Sequence, residues 1–405
     1  MSHVLYLTRN GLLEPLGQSQ IFAYLQGLAT SYSITLITFE KPADWTDCKS
    51  RSAALRQCRS LGIRWIPLRF RVNPHRLAPA LAILQLGVVA LWQWRRRPRP
   101  SLVHARSYIP AAIALLLHRL TGAPFIFDMR ALWPEELITA GQLRRGSLLH
   151  RILLGLERSC LLQASGVVSL TYSALAYLHT TYPLELAHQR VVVIPTCANL
   201  QSFKRSSLIS ADNGLVIGCI GTVISGWFLI DWLHSFFDAL IRAVPTARFE
   251  LISRDDPRAI LKALSPSLDW RDRLTIQAAT PQQIPAIVER HTASVMFFTG
   301  GLSKLGSSPT RMAEVLGSGR PVVTNPGVGD LEQLINSHRV GVLARGSSKI
   351  HMDNCVAELL ALLRDPQLSH RCRRTAEDLF SLQAGTASYS HLYSDIISNL
   401  ASQKA

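Results

Sequence analysis

Short apolar runs rich in valine, isoleucine and leucine recur along the chain, and helical stretches follow them. In the first half they span residues 4–8, 34–39, 63–68, 102–107, 125–130, 166–171 and 191–195. In the second half they span 215–221, 248–253, 274–279, 294–299, 321–325 and 341–344. Strands that alternate with helices are typical of parallel sheets covered by helices on both faces. The pattern therefore predicts an α/β protein with two Rossmann-like domains.

The chain length of 405 residues suits two domains, each large enough to bury its own core. A polar stretch without an apolar period begins near residue 199 and predicts a linker at 201–213. We therefore expect a first domain at 1–200, a second at 214–380 and a C-terminal helix at 381–405. That last helix can pack back on the first domain.

The segment from Ser308 to Val323 carries the clearest sign of a ligand site. Ser308 and Pro309 are typical of a helix start, Glu314 lies inside the helix, and an apolar strand follows at once. The free N–H groups and positive dipole end of a helix bind anions. A carboxylate deeper in the helix can accept hydrogen bonds from hydroxyl groups. The segment therefore favours a nucleotide or a nucleotide sugar.

In doubly wound sheets, ligands bind beyond the carboxyl ends of the strands. In the first half, three polar segments follow predicted strands: residues 9–20 with Gly17 and Gln18, the pair Arg106 and Ser107, and residues 128–136. A glycine before a helix can bring N–H groups close to a phosphate or a sugar. We expect these segments to line the ligand side of the first sheet.

Composition and charge narrow the class of protein. The chain is 48% hydrophobic and 17% charged, which indicates a globular protein. The net charge is +16, and residues 1–200 hold 22 Lys and Arg against 9 Asp and Glu. A basic half suits polyanions, or it serves solubility alone. No RNA-binding or zinc-finger pattern is present, so we expect no nucleic-acid partner.

Seven cysteines are scattered without a C-x-x-C pair, which argues against a zinc site or a disulfide framework and favours a reducing compartment. The first strand begins at His3, so we expect no signal peptide and a cytoplasmic protein.

Residues 77–94 contain no charge and are followed directly by Arg95, Arg96 and Arg97. The length is borderline for a membrane span. The tryptophans beside the arginines suit an interfacial helix on an anionic leaflet. An ordinary packed helix and a true span remain alternatives. We predict a peripheral protein on the inner face of the cell membrane.

An ordered set of motifs runs through nearly the whole chain. It comprises Gly17-Gln18-Ser19, Arg106-Ser107, the segment Asp128–Glu136, Ile194-Pro195-Thr196, and the run from Pro309 through Glu314 to Val322, followed by Gly327–Glu332. The set resembles the GT-B glycosyltransferases of retaining family 4. The resemblance implies two Rossmann-like domains with parallel sheets facing across a cleft. It also implies retaining transfer from an NDP-sugar, held mainly by the second domain, to an acceptor held by the first. GT-B enzymes commonly act without a metal ion, so we expect no cofactor and no metal.

Two positions depart from the family pattern. Family members usually carry two glutamates separated by seven residues; Glu314 fits the second, and the first falls at Gly306, which has no carboxylate. The Gly306 N–H, Ser307 or Lys304 could contact the donor sugar instead. The usual basic pair after the first strand of the second domain is also absent from residues 221–227, and Lys304 and Arg311 are its predicted replacements.

The predicted chemistry needs positive charge for the leaving diphosphate and a polar base near the reacting centre. The predicted catalytic residues are Asp128, at a strand tip, and Arg130. The predicted donor-binding residues are Gly17, Gln18, Thr222, Lys304, Gly306, Ser307, Ser308, Arg311 and Glu314. The predicted acceptor-binding residues are Arg106, Ser107 and Glu136. The loop Asp128–Glu136 could instead be shaped by an Asp128–Arg130 pair.

The sequence thus predicts a hexosyltransferase that moves a sugar from an NDP-sugar to a lipid-linked or polysaccharide acceptor, at an anionic membrane surface. Two alternatives remain open. One is an epimerase or hydrolase of a nucleotide sugar. The other is a non-catalytic relative that binds a membrane or a partner enzyme as a scaffold.

Overall fold

A computed structural model describes residues 1–70, 78–205 and 214–402. The chain divides into two compact units. The first unit comprises Met1–Pro195 and Leu382–Ala405, and the second comprises Thr196–Ser381.

The first unit is built on a seven-stranded sheet in the order β3-β2-β1-β4-β5-β6-β7. Every neighbouring pair is parallel. Its strands are β1 Ser2–Leu7, β2 Tyr32–Glu40, β3 Ile63–Arg69, β4 Leu102–Arg106, β5 Phe125–Asp128, β6 Gly166–Ser169 and β7 Val191–Val193.

The helices of the first unit connect these strands. They are α1 Pro15–Gly17, α2 Ala23–Leu28, α3 Pro42–Thr46, α4 Cys48–Ser60, α5 Ala78–Arg95, α6 Tyr108–Thr121, α7 Trp133–Thr139, α8 Leu148–Gln163, α9 Tyr172–Thr181 and α10 Pro183–Leu186. A turn of π-helix, Gln18–Phe22, joins α1 to α2.

The second unit has a six-stranded sheet in the order β10-β9-β8-β11-β12-β13, again with parallel neighbours. The strands are β8 Val216–Ile220, β9 Arg248–Ile252, β10 Leu274–Gln277, β11 Ala293–Val295, β12 Val322–Thr324 and β13 Gly341–Leu343. The helices are α11 Ile230–Ala243, α12 Pro257–Leu264, α13 Ile284–Arg290, α14 Leu302–Leu305, α15 Thr310–Gly317, α16 Leu331–His338, α17 Lys349–Leu362 and α18 Leu368–Phe380. Short 3₁₀ helices lie at Leu200–Ser202 and Arg271–Arg273.

Each of the thirteen predicted apolar runs overlaps a strand, and the predicted α/β fold class is confirmed. The central strands β4, β5 and β6 are buried along their whole length, which explains their continuous rather than alternating hydrophobicity. In the second unit, Phe237 stacks on Phe249 and packs edge-on against Trp270 in the core beneath α11.

The strand order reverses once in each unit. In the first sheet the reversal lies between β1 and β4, and in the second between β8 and β11. At such a point the connections leave on opposite faces of the sheet and open a crevice at the carboxyl ends of the strands. A ligand site is therefore expected at the carboxyl ends of the strands at these two switch points, which we call the first and the second edge.

The start of the second unit differs from the predicted linker at 201–213. The side chains of Leu200 and Phe203 are buried in the core of the second unit, and Gly317 packs against Leu200. The linker therefore begins inside a packed segment, and residues 206–213 lie outside the described part of the chain.

The last helix, α19 Leu382–Ser402, packs within the first unit against α2. The methyl group of Thr386 faces Gly27, and the hydroxyl of Tyr32 donates to the carbonyl of Ser390. A side chain at Gly166 would collide with Leu392 and Ile396. Glycine on the strand and on α2 thus lets this helix approach closely.

The uncharged segment at 77–94 forms α5 from Ala78 onward, and Leu77 lies outside the described residues. Within 1–70, 78–205 and 214–402, no helix combines the length and the apolarity that crossing a bilayer requires.

Candidate functional site

Two loops lie side by side at the switch point of the second sheet. The Thr299 N–H donates to the Trp227 carbonyl at 3.1 Å, and the Leu229 N–H donates to the Phe297 carbonyl at 3.1 Å. Phe228 and Phe298 form an antiparallel bridge between the same segments. The loop after β8 is therefore fixed against the loop after β11.

The backbone at this edge is open. At Gly221, Gly226, Gly300 and Gly301, no described atom lies within 4 Å of the position that a Cβ would take. Gly221 has a φ of 139° and Gly301 a φ of 107°, conformations that favour glycine. Glycines with free space above them let a ligand approach the main chain.

Lys304 places a cation at this open edge. Its side chain is buried, and its Nζ lies 3.8 Å from the centroid of the Trp227 ring. A cation over an indole face is stabilised by the ring quadrupole, more strongly when water is excluded. The Gly329 N–H donates to the Lys304 carbonyl at 2.8 Å, which ties the loop after β12 to α14. The sequence predicted Lys304 but gave no sign of Trp227 as its partner.

The helix α15 begins after Pro309, as predicted. Arg311 forms an ion pair with Glu314 one turn along the helix. Burial raises the pKa of Glu314, and the Arg311 guanidinium opposes that rise. The predicted cation and the predicted hydroxyl acceptor are therefore partners of each other in the absence of ligand.

The segment before α15 makes hydrogen bonds within the protein, whereas the sequence predicted that it contacts the donor. The Ser307 N–H donates to the Lys304 carbonyl at 3.1 Å, and the N–H of Gly306, at the end of α14, is directed at the same carbonyl. The Ser308 hydroxyl accepts a hydrogen bond from the Thr196 N–H at 3.1 Å. Gly306 and Ser308 thus hold the loop together.

Asp255 anchors the loop that carries Thr222. One carboxylate oxygen accepts hydrogen bonds from the N–H groups of Val223 at 2.8 Å and Ile224 at 3.1 Å. Thr222 itself is exposed at the tip of β8. Sequence reasoning missed this role of Asp255, which depends on the pairing of β8 with β9.

The corresponding edge of the first sheet is filled. A Cβ on Gly17 would stand 1.9 Å from the Gly11 carbonyl oxygen, so this glycine is required by packing. The Gln18 side chain donates to the Leu12 carbonyl at 2.6 Å. Neither feature matches the predicted contact of Gly17 and Gln18 with a donor.

Asp128 is completely buried beneath this edge. Its Oδ2 accepts hydrogen bonds from the Tyr389 hydroxyl at 3.0 Å and pairs with His104 Nε2 at 3.2 Å. Arg106 Nη1 lies 3.6 Å from the same oxygen, and Arg130 Nη1 lies 3.8 Å from Oδ1. Asp128 lies at the end of β5, as predicted. Its complete burial does not fit the predicted contact with a reacting group.

The electrostatics of this cluster favour a structural ion pair. Burial alone would raise the pKa of Asp128, but Arg130, His104 and Arg106 outweigh it and the pKa falls to about 2. Burial lowers the pKa of His104 despite the adjacent carboxylate. The carboxylate is thus ionised and weakly basic, whereas a general base works best with a pKa near the operating pH.

Two residues of the first edge have strained backbones. Ser107 has φ 75° and ψ 174°, and Arg130 has a φ of 59°. Non-glycine residues in these regions cost on the order of 1–3 kcal/mol each, and such strain is common at functional sites. The Arg130 guanidinium donates to the Tyr389 hydroxyl at 3.3 Å. Arg106 is buried, so Ser107 is the more accessible of the predicted acceptor-binding pair.

Glu136 lies in the first turn of α7 with its side chain half-buried. Its neighbour Glu135 is buried and binds Arg145 with both oxygens. Among residues 1–70, 78–205 and 214–402, no three His, Cys, Asp or Glu side chains come together as a set of metal ligands.

Comparison with known proteins identifies the architecture. Residues 20–197 match the sequence model of the glycosyl transferase 4-like domain. Sucrose-phosphate synthase from Thermosynechococcus elongatus superimposes with a TM-score of 0.67 over 98% of this chain and 100% of that chain, at 15% identity. The fold is that of the GT-B proteins.

Other GT-B structures are similar. Anabaena HepE, solved in complex with UDP, gives a TM-score of 0.67 at 15% identity over 98% of this chain and 100% of that one. WaaG, a glycosyltransferase involved in lipopolysaccharide biosynthesis, gives 0.63 at 14% identity over 95% and 98%. No curated protein sequence gives a significant match.

Proposed function

We propose that the protein is a retaining glycosyltransferase that takes its donor, a nucleoside diphosphate sugar, at the carboxyl edge of the second sheet. The observation that carries the proposal is Lys304, held over Trp227 at the switch point where the backbone of Gly221 and Gly300 is also open. A fixed cation and free space at a topological switch point suit a diphosphate.

The donor is oriented by residues on both sides of this cation. The loop at Thr222 lies on the β8 side, and the start of α15 with Arg311 and Glu314 lies on the other. Glu314 accepts the ribose hydroxyls once a ligand competes for its pair with Arg311, which is then released towards phosphate. The match of residues 20–197 to a glycosyl transferase domain supports the class of enzyme, and the UDP bound to HepE, a protein of the same fold, supports a nucleotide-sugar donor.

The chemistry follows from where charge develops. Breaking the anomeric bond leaves a diphosphate that gains negative charge, and preorganised cations and N–H donors stabilise it. Lys304 and Arg311 supply that charge in a transfer that needs no metal ion. Their fixed positions keep the cost of reorganisation low at the moment of reaction.

The first unit binds the acceptor in this proposal. Ser107, with its strained backbone, and Glu136 are the accessible candidates, and Asp128 positions Arg106 and Arg130 rather than contacting substrate. The acceptor is a lipid-linked sugar or a growing polysaccharide, reached from the inner face of the cell membrane.

Calorimetric titration of the full chain with UDP and with GDP tests the donor site. We expect one of the two to bind, and Glu314→Ala to raise its Kd at least about tenfold, because hydrogen bonds to a charged group contribute about 1.5–3 kcal/mol. Glu358→Ala, an exposed glutamate on α17, should leave the Kd unchanged. Absence of affinity for any nucleotide or nucleotide sugar would identify a scaffold instead.

Product analysis then tests the reaction. Transfer should require an acceptor, retain the anomeric configuration and survive a chelator. A nucleotide sugar that is hydrolysed or epimerised at the full rate without acceptor would contradict the proposal.

A further inference from the structure

Three neighbouring helices cover one face of the first sheet. The connections from β3 to β4, β4 to β5 and β5 to β6 all run in the same direction across the sheet. Right-handed crossovers therefore place α5, α6 and α8 on the same face, with α4 on the other. The helix α6 packs against both α5 and α8. We call the outer side of these helices the three-helix face.

Each of the three helices turns apolar side chains outward as well as inward. Eleven of the 21 large apolar side chains that are strongly exposed in the described chain lie on these helices. They include Leu84, Val88 and Trp92 on α5, Leu116 and Leu120 on α6, and Leu148, Leu149, Ile152 and Leu162 on α8. Leu120 is 65% exposed and Leu148 is 75% exposed. The spacing of four residues places Leu84, Val88 and Trp92 in one stripe along α5, and it places Leu116 and Leu120 in another along α6.

No exposed acidic side chain interrupts the face. The helices α5 and α6 contain no Asp or Glu, and the single glutamate of α8, Glu157, is buried. Tyr108 and Tyr182 donate hydrogen bonds to its two carboxylate oxygens. The basic residues on and beside the face are Arg95, Arg96, Arg97, Arg99, Arg119, Arg144, Arg151 and Arg158, of which Arg158 is paired with Glu185.

Arginines cluster around a cavity at the end of α5. Arg95, Arg97 and Arg99 line an open cavity of about 490 Å³ together with Pro98. The Arg96 guanidinium lies 4.3 Å from the Trp92 ring centroid, and that of Arg99 lies 4.9 Å from the Trp94 ring centroid. Tryptophan and arginine in contact suit the headgroup level of a bilayer, where one side is apolar and the other wet.

We propose that the three-helix face binds the surface of an anionic lipid bilayer, with the first sheet lying along the membrane. The sequence pointed only to residues 77–97; α6 and α8 extend the contact to a broad surface and fix its orientation. Charge complementarity favours lipid, because the arginines match anionic headgroups and the aliphatic stripes match the acyl boundary. The proposal does not rest on sugar transfer.

Vesicle sedimentation of the full chain tests the proposal. Phosphatidylcholine vesicles with phosphatidylglycerol should bind the protein, binding should weaken in high salt, and vesicles without phosphatidylglycerol should bind less. Changing Arg95, Arg97 and Arg99 together to Gln should lower the partition coefficient on the order of 100-fold. The charge-matched control changes Lys49, Arg56 and Arg59 to Gln on α4, on the opposite face of the sheet, and should have a much smaller effect.

A second pair of variants tests the part of the face that sequence reasoning missed. Ile152→Glu on α8 should lower binding at least about tenfold. Ile350→Glu, an exposed isoleucine of the second unit, should leave binding nearly unchanged. Both side chains are exposed, so both variants should keep the unfolding midpoint.

Equal losses for the two isoleucine variants would overturn the proposal. The proposal would also be overturned if the protein did not bind vesicles but self-associated, and if Ile152→Glu abolished that self-association. The face would then be a protein interface. These measurements use no nucleotide. A protein that does not bind vesicles would therefore not contradict the donor site, and a protein that does not bind nucleotides would not contradict the membrane-binding role of the three-helix face.

Discussion

The first and the second edge, where the strand order reverses, have the same topology, but the first is filled with side chains and the second is open. In the first unit, the edge at β1 and β4 is filled by Tyr6, His104, Arg106 and Asp128, all buried. In the second unit, the edge at β8 and β11 carries glycines with free space above them and the buried side chain of Lys304.

The cause of this difference is the chain's last helix. The Tyr389 and Tyr393 hydroxyls of α19 bind Asp128 and His104, so the polar groups of the first edge are satisfied by protein. At the second edge, α19 takes no part, and Lys304 Nζ lies against the aromatic face of Trp227. A common topology therefore predicts where a ligand can bind, and the side chains decide whether the place is kept for one.

Asp128→Asn is the strongest way to break this comparison. If the first edge is structural, the change leaves Arg106 and Arg130 buried beside a neutral amide, which should cost about 3–5 kcal/mol of unfolding free energy. Denaturant unfolding measures it, with the affinity for UDP or GDP unchanged. A variant that folds normally but loses all transfer would make Asp128 catalytic after all.

Lys304→Met tests the second edge with a side chain of similar length and no charge. We expect the Kd for the bound nucleoside diphosphate to rise roughly 100-fold, because about 2–3 kcal/mol of charge-assisted binding is lost. The Kd for the nucleoside alone should change little, since it has no diphosphate. Lys262→Met, an exposed lysine on α12, is the matched control, and an equal loss in both variants would remove Lys304 from the site.

Two glycine substitutions should affect the two edges differently, because a Cβ meets a packed backbone at the first edge and open space at the second. Gly17→Ala should lower the unfolding free energy by about 2 kcal/mol, because its Cβ would meet the Gly11 carbonyl. Gly300→Ala should stay within about 0.5 kcal/mol and instead weaken nucleotide binding. Calorimetry and denaturant titration of both variants check this crossed result. A nucleotide defect in Gly17→Ala at normal stability would restore the predicted donor contact of Gly17.

Sequence reasoning reached the fold because every strand of a parallel sheet is buried on both faces and reads as an apolar run. It proposed Lys304 and Glu314 for the donor site because a helix start and its charges are local. It could not reach the burial of Asp128, which depends on Tyr389, a residue 261 positions away. The contact between Trp227 and Lys304 could not be predicted from the sequence either, because it forms only when β8 and β11 are neighbours in the sheet.

Acid unfolding sharpens the comparison through the pKa of Asp128. Because the folded-state pKa of about 2 lies below the ordinary 3.8, the ionised carboxylate stabilises the protein above pH of about 4. That contribution, about 2 kcal/mol, is lost as the pH falls towards about 2. Glu250 of the second unit also has a pKa of about 2 and contributes its own acid dependence. The unfolding free energy of Asp128→Asn should therefore fall less steeply with acid than that of the wild type, and parallel curves would contradict this.

Tyr389→Phe should have the smallest effect. It removes one hydroxyl that donates to Asp128 and accepts from Arg130 while keeping the edge-on ring contact with Tyr24, so we expect a loss of about 1 kcal/mol. Tyr172→Phe, on an exposed helix surface, should change stability by less than about 0.5 kcal/mol. In the Asp128→Asn background the Tyr389 change should cost clearly less than it does alone, because the two groups share one hydrogen bond. Additive losses in this double-mutant cycle would mean that α19 is held by its apolar packing alone, and the filled edge would then owe nothing to its polar cluster.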